Sequence, residues 1–387
     1  MPYVNPSLSG PQGSLVVRPL RGRADLETFI RLPGRLHRGD PQWIEPLHLE
    51  RRMHLSAKNP AFEHVTWQGW LAWSGTEPVG RISAQIDALH RERHGADTGH
   101  FGMLDAVDDP AVFAALISAA EEWLAQRGTH RITGPFSLTI NEESGLLVEG
   151  FDTPPMMMMG HAAPYYGPRL EALGYRGAKD LLAYWMRPPD ISYTPAMQRM
   201  MDRMRDRIRI RQLDQSRFDA ELMTLRDIFN DAWAENWGFI PFTEAEFREL
   251  GSNLKLLVPP DMIMIAEVDG EPAGFIVGMP NLNEAAAPLH GRLLPFGWLR
   301  LLWRLKVRPP RSARVPLMGV RRGKHFSRLG TVLALLLTEA MKFALLRNNM
   351  ESLEMSWILE DNSGMRNILE HISAKPYKRY RVYEKQL

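Results

Sequence analysis

Residues 312–320, Ser312-Ala313-Arg314-Val315-Pro316-Leu317-Met318-Gly319-Val320, read as a strand that runs into a basic segment, Arg321 to Gly330, and then into an apolar helix, Thr331 to Arg347. The pattern beyond it predicts a strand (Leu353 to Leu359), the turn Glu360-Asp361-Asn362, a short helix from Ser363 to about Ile372, and a last strand, Tyr377 to Tyr383. A strand that ends in a basic, glycine-bearing turn at a helix N-terminus gathers backbone N–H groups and the positive end of the helix dipole at one spot. Such a spot binds anions.

The residues before this stretch share its plan twice over. In the first half, Leu15 to Pro19 reads as a strand and Ala24 to Leu36 as a helix. Val65 to Ser74 and Glu77 to Ile86 read as a hairpin turning at Gly75. Phe101 to Leu104 reads as a strand. Pro110 to Arg127 has helical apolar spacing (Val112, Leu116, Ala119, Trp123), followed by a strand (His130 to Phe136), a helix (Pro164 to Leu173, closed by Gly174) and a strand (Ala178 to Met186). In the second half, Ile208 to Leu213 is a strand and Arg217 to Trp233 a helix. Met262 to Val268 and Pro272 to Met279 form a hairpin around Asp269-Gly270. Repetition of element order predicts two domains of one design, 15–187 and 188–387, divided at Arg187-Pro188-Pro189-Asp190.

Composition agrees with two domains. The chain has 387 residues, of which 44% are apolar, enough for two full cores. A net charge of +2 gives no global field to recruit nucleic acid. The absence of cysteine excludes a disulfide scaffold, a thiolate zinc site and a thiol nucleophile, and suits a reducing, cytoplasmic setting. Residues 1–14, rich in Pro, Ser and Gly, are expected to be disordered and not to be a signal peptide. No run of about 20 apolar residues stands out as a spanning helix. His90-Arg91-Glu92-Arg93-His94 lacks the helical spacing of a zinc site, and no metal is expected.

The strand–basic turn–helix order resembles the acyl-CoA pyrophosphate cradle of the GNAT N-acyltransferases. The resemblance implies an α/β fold of two tandem GNAT-like domains, each a mixed sheet flanked by helices. In the family's glycine-rich loop the best frame here is His325-Phe326-Ser327-Arg328-Leu329-Gly330, where only Gly330 matches. His325 stands where Gln or Arg is usual, and Arg328 replaces the first glycine; Arg321, Arg322, Lys324 and Arg328 are expected to supply the charge. The first half carries Asp105, Asp108 and Asp109 at the matching turn, so the cofactor is expected in the second half alone. By the resemblance, Met318, Gly319, Val320, Arg321, His325, Arg328, Gly330, Thr331 and Asn362 bind the acyl-CoA. Asn362 equally suits a helix N-cap. The family's general-acid Tyr falls on Leu369 here, which leaves Tyr377 and Tyr380 as substitutes.

The insertion 281–310 mixes large apolar and aromatic residues with Arg and Lys. Its centre, Arg292 to Arg308, has no acid. It is too short and too charged to span a bilayer and fits either a segment lying in the headgroup plane or a buried helix whose cations snorkel. Trp298 and Trp303 are expected there as lipid- or substrate-binding residues.

Two further stretches, Gly134 to Asp152 and Ser356 to Asn362 with Lys375 to Tyr380 after it, resemble a bacterial group of GNAT-like proteins that includes the bacterial ceramide synthases. The resemblance implies transfer of a fatty acyl group from acyl-CoA to the amine of a sphingoid base, such as 3-oxosphinganine or sphinganine. The apolar, basic insertion agrees independently, since such substrates partition into membranes, and peripheral contact with the inner membrane surface is expected. The other readings are an N-acyltransferase for another amine and an inactive pair serving as a lipid- or partner-binding scaffold. An alkylamine is protonated at pH 7, a cost of roughly 4 kcal/mol, so a base is needed. Glu360 and Glu142 are the candidate bases, each also readable as an ordinary helix-start or loop charge. Backbone N–H groups around Gly319 and Val320 are candidates for polarising the thioester. Asn141, Tyr166 and Trp357 are expected to line the acyl or amine pocket.

Overall fold

The computed structural model describes residues 14–325 and 327–387, except for the side chains of Lys324 and His325. The segment expected to be disordered, 1–14, lies outside them apart from Ser14. In chain order the strands among the described residues are β1 (Leu15–Pro19), β2 (Val65–Ser74), β3 (Glu77–Asp87), β4 (Thr98–Ala106), β5 (Arg131–Gly134), β6 (Leu146–Glu149), β7 (Arg176–Met186), β8 (Ile208–Gln212), β9 (Ile263–Val268), β10 (Glu271–Pro280), β11 (Ser312–Val320), β12 (Ser352–Leu359) and β13 (Lys375–Gln386). With helices on both sides of mixed pairings, the fold is α/β, as expected.

The chain forms two compact units, and two of the four dividing points fall inside β7 and β13. The first comprises the described residues up to Leu181 with Asn283–Arg308 and Lys378–Leu387; the second is Leu182–Leu282 with Pro309–Tyr377. This division differs from a cut at the Pro188-Pro189 pair, which forms a single 3-10 turn, Pro188–Asp190. Nearly all of the insertion expected in the second domain belongs to the first unit.

In the first unit, β1 to β4 are antiparallel neighbours, β4 and β5 run parallel, and β13 pairs antiparallel with β5 and β6. Gly75, at φ +59°, makes the β2–β3 turn. The helix Pro110–Ala125 starts on Asp109, whose side chain accepts from Ala111 N–H, with Pro110 at the first helical position. It buries Val112, Phe113, Leu116, Ala120 and Leu124 at spacings of one to four, one face of a helix.

In the second unit, β8 to β11 are antiparallel and β11 and β12 parallel. Asp269 and Gly270, at φ +52° and +89°, form the β9–β10 turn. The helix Arg328–Arg347 starts three residues before the expected Thr331, preceded by a short turn of helix, Arg322–His325. By length and composition it could cross a membrane, which the sequence reading had not singled out. Leu333, Leu335 and Leu337 are nonetheless core residues packed inside this unit. The two halves of the chain repeat one order, strand–helix–hairpin–strand–helix–strand–helix–strand.

Candidate active site

The parallel pair β11–β12 is in register over four positions, from Ser312↔Ser352 to Val315↔Met355. Beyond them, residues 316–320 and 356–359 have no mutual pairing, and the strands part. Pro316 supplies a reason: it has no N–H with which to continue the ladder. The β10–β11 register also shifts here, with Val277↔Leu317 followed by Met279↔Arg314. Two residues of β11, Val315 and Pro316, thus face one of β10, a bulge that bends the strand. In an otherwise buried strand, Pro316, Leu317 and Met318 become half-exposed, and so do Trp357 and Ile358 on β12.

Strand alternation decides which amides face the opening. Arg321 N–H donates to Ala273 O on β10 at 2.9 Å, so Gly319 and Leu317 also face β10. The N–H groups of Met318 and Val320 point the other way. Met318 O accepts from Trp233 Nε1 at 3.1 Å, and Trp357 packs edge-on against Trp233, ring centres 5.3 Å apart. Of the amides expected to polarise a thioester, Val320 keeps that orientation. That of Gly319 faces β10, and that of Met318 points the same way as Val320's.

A polar cluster lies at the fork. Arg314 and Glu354 are register partners, 5% and 0% exposed. Arg314 donates to Ser356 Oγ at 2.7 Å and to Ser356 O at 3.1 Å, with its Nε 3.6 Å from Glu354 Oε1. Ser356 Oγ and the Tyr377 hydroxyl each donate to Glu354, one to each carboxylate oxygen. Charges taken this far out of water persist only when paired, and here Arg314 and Glu354 share Ser356 as a common partner. Tyr377, named from sequence, is therefore brought to the fork. Arg314, Glu354 and Ser356 were missed; the pointer to them was Pro316, a proline inside a central strand.

The expected phosphate cradle is rearranged. Ser327 caps the helix by accepting from Gly330 N–H at 3.2 Å, and Thr331 N–H is bonded to Ser327 O. The two amides expected to be offered to phosphate are thus used inside the helix. Arg321 donates from its side chain to Pro272 O, and Arg322 pairs with Asp231 and Glu235. Arg328 stays exposed in the first turn of the 20-residue helix, beside the positive end of its dipole. For His325, only the backbone is described. Asn362 is an N-cap, accepting from Met365 N–H at 3.1 Å. Glu360 is half-buried in the turn after β12, its carbonyl held by Arg366. Leu369 is a core residue.

The remaining expected residues lie in the first unit. Glu142 pairs with His54 and Glu143 with Arg51. Burial pushes the Glu142 carboxyl above the usual range against the pull of His54. Burial alone would depress His54, but Glu142 holds it raised. Asn141 is half-buried in this loop, its N–H on Thr139 Oγ1. Tyr166 is fully buried, accepts from Ala106 N–H, and is held far above its ordinary pKa by burial; it packs as core. Tyr380 is fully buried too. Trp298 and Trp303 are exposed on the helix Gly297–Val307. The three acids expected to repel phosphate are engaged: Asp105 with Arg81 and His37, Asp108 with Arg169, and Asp109 as a helix cap. Among the described residues one group could hold a metal, His37, Asp40 and His161, with ligand atoms within 4.8 Å of one another. Its members already hydrogen-bond, His37 to Asp105 and His161 to Asp40. A sequence separation of 121 residues hid it from inspection of motifs.

Known proteins fit this architecture. The chain is 57% identical over 372 residues to Protein YghO of Escherichia coli (strain K12), covering 96% of this chain and 95% of that one. It is 48% identical over 375 residues to the bacterial ceramide synthase of Caulobacter vibrioides (strain NA1000 / CB15N), covering 96% and 98%. No protein-family model matches it. Among solved structures, a tandem GNAT protein from the clavulanic acid biosynthesis pathway shares the fold at a TM-score of 0.56 and 14% identity, over 96% of this chain and 98% of that one. A GCN5-related N-acetyltransferase from Sphaerobacter thermophilus does so at 0.53 and 13%, over 96% and 95%. With its parted parallel strands, its doubled element order and relatives this close over nearly full length, the chain belongs to the bacterial ceramide synthase-like group of tandem GNAT acyltransferases.

Proposed function

We propose that the protein moves a fatty acyl group from acyl-CoA to the primary amine of a sphingoid base, 3-oxosphinganine or sphinganine, giving a (dihydro)ceramide. The observation that carries the reading is the opening between β11 and β12, with amides of Met318 and Val320 aimed into it and, at its fork, the buried Glu354 carboxylate accepting from the half-buried Tyr377 phenol. The 48% identity to a protein named a bacterial ceramide synthase supports the choice of acceptor.

In this reading the thioester carbonyl lies against the Met318 and Val320 N–H groups, which stabilise the oxyanion as it forms. The amine nitrogen attacks the carbonyl carbon, a C–N bond forms and the C–S bond breaks. The amine enters as the free base, its ammonium proton lost to solvent. The proton lost by nitrogen on attack passes to Tyr377 as its own hydroxyl proton moves to Glu354. The departing thiolate takes that proton back through Tyr377 to leave as free CoA, restoring Glu354 and Tyr377. Glu360, at the end of β12, and Glu142, beside His54, are the other carboxylates proposed for the base. Arg328 and the helix it opens receive the phosphates, and Trp357 lines the acyl or amine pocket. We place the reaction at the cytoplasmic face of the inner membrane, where such substrates partition.

Incubating the purified full-length protein with palmitoyl-CoA, or palmitoyl-acyl carrier protein, and a panel of amines tests this by mass spectrometry. N-palmitoyl sphinganine or its 3-oxo form is the expected product. Amides formed only with amino acids or lysine side chains would overturn the substrate assignment.

A further inference from the structure

The helix Gly297–Val307 carries its apolar side chains on the wrong face for a soluble protein. None of its residues is buried. Trp298, Leu299, Leu302, Trp303, Lys306 and Val307 share one helical face by their spacing, and every one of them is exposed. Leu294 and Phe296, just before it, are 77% and 72% exposed. These seven apolar residues make up half of the exposed large apolar side chains among the described residues. The inward positions carry Leu301, Leu305 and Arg304, and Arg304 ties the helix down by donating to Glu284 O at 3.1 Å. Nearby in the same unit, His48 N–H donates to Gly291 O and starts the helix His48–His54, which exposes Leu49 and Met53 one turn apart.

Charge selects the occupant. Arg292, Arg300, Lys306 and Arg308 surround this face, and among the described residues no carboxylate pairs with any of them. Arg308 instead sits 5.8 Å from the Trp303 ring centre. A second copy docked here by a two-fold axis would bring these cations against themselves. An apolar face with Trp at its edges, ringed by unpaired cations, matches the headgroup plane of an anionic bilayer.

We propose that the helix Gly297–Val307 docks the protein on an anionic lipid bilayer. It lies parallel to the surface, with Leu299, Leu302 and Val307 in the acyl boundary, Trp298 and Trp303 at headgroup level and the cations on lipid phosphates. The proposal rests on the peripheral membrane contact placed above and is independent of which amine is acylated.

The lack of cysteine makes a clean test. Leu302→Cys and Leu256→Cys, the latter 82% exposed on the other unit, are each labelled with an environment-sensitive fluorophore. Vesicles of phosphatidylcholine alone or mixed with phosphatidylglycerol are then added. The label at 302 is expected to shift blue with the anionic vesicles and the label at 256 to stay unchanged. Leu302→Glu/Val307→Glu, at exposed sites that leave the melting temperature intact, is expected to lower flotation with these vesicles by about tenfold or more. Equal flotation of that variant, equal shifts at both labels, or a dimer in solution that the variant abolishes would overturn the proposal. Acyl transfer to a detergent-dispersed amine reads the chemistry separately, so failure of one does not imply failure of the other.

Discussion

Glu354 lies opposite Arg314 in the β11–β12 register, one residue before the strands part, with both side chains out of water. Breaking a buried pair on one side leaves an uncompensated charge, typically about 3–5 kcal/mol of stability. Arg314→Met is therefore expected to lower stability by that order in urea unfolding, and Glu354→Gln by somewhat less because Tyr377 and Ser356 still find an acceptor. The double variant is expected to recover much of the loss. Simple additivity would show that the two charges do not compensate one another.

Tyr377 donates a hydrogen bond to Glu354 and is the phenol at the opening. Tyr377→Phe removes one hydroxyl and is expected to lower kcat by about a hundredfold or more if the pair carries the amine proton, leaving KM for acyl-CoA near its original value. Glu360→Gln and Glu142→Gln are the controls. A normal rate for Tyr377→Phe with a collapsed rate for Glu142→Gln would move the proton transfer to the His54–Glu142 pair.

The hairpins were legible because Asp269-Gly270 and Gly75 need positive φ, and turn chemistry is local. The domain design was legible because element order repeats. The helix Glu244–Leu257 carried a readable signal, the capping box Thr243–Glu246, that went unused. The fork was not legible as a site. Its four members come from β11, β12 and β13: register brings Arg314 to Glu354, and a hydrogen bond across 23 residues of chain brings Tyr377 to Glu354. The cradle was read too literally: a glycine-bearing basic turn looks like free amides and free charge, but Ser327, Asp231 and Glu235 consume part of both. Placement of Asn283–Arg308 in the first unit depends on contacts such as Asn283 to Pro155 O, far apart in sequence.

His90 and His100 are buried with ring centres 4.5 Å apart. Burial pushes His90 down to about 4, with His94, Arg131 and Arg91 adding to the depression and Asp87 opposing it. Burial and the same cations push His100 well below the ordinary value. In the unfolded chain each would titrate near 6.5. Between that value and about 4 the unfolded state binds more protons, so stability rises with pH across this window and is lost as pH falls through it. The loss from His90 alone is of order 3 kcal/mol. His90→Phe is expected to flatten the slope of urea midpoint against pH in this range. An unchanged slope would assign the acid sensitivity elsewhere.

Arg328 is the exposed cation in the first turn of the helix Arg328–Arg347, while Arg321 and Arg322 are turned to protein partners. If it meets the phosphates of acyl-CoA, Arg328→Glu replaces attraction by repulsion at the positive end of the helix. The Kd for a non-hydrolysable acyl-CoA analogue is expected to rise about tenfold or more at low salt. The difference should shrink as ionic strength rises, because an exposed contact is screened beyond about 10 Å at 0.1 M salt. Ser327→Ala separates charge from fold, since loss of the cap costs about 1 kcal/mol of stability without changing local charge. Calorimetric titration of both variants decides the matter. A Kd for Arg328→Glu that matches the parent at low salt would mean that the phosphates are held by groups other than this turn.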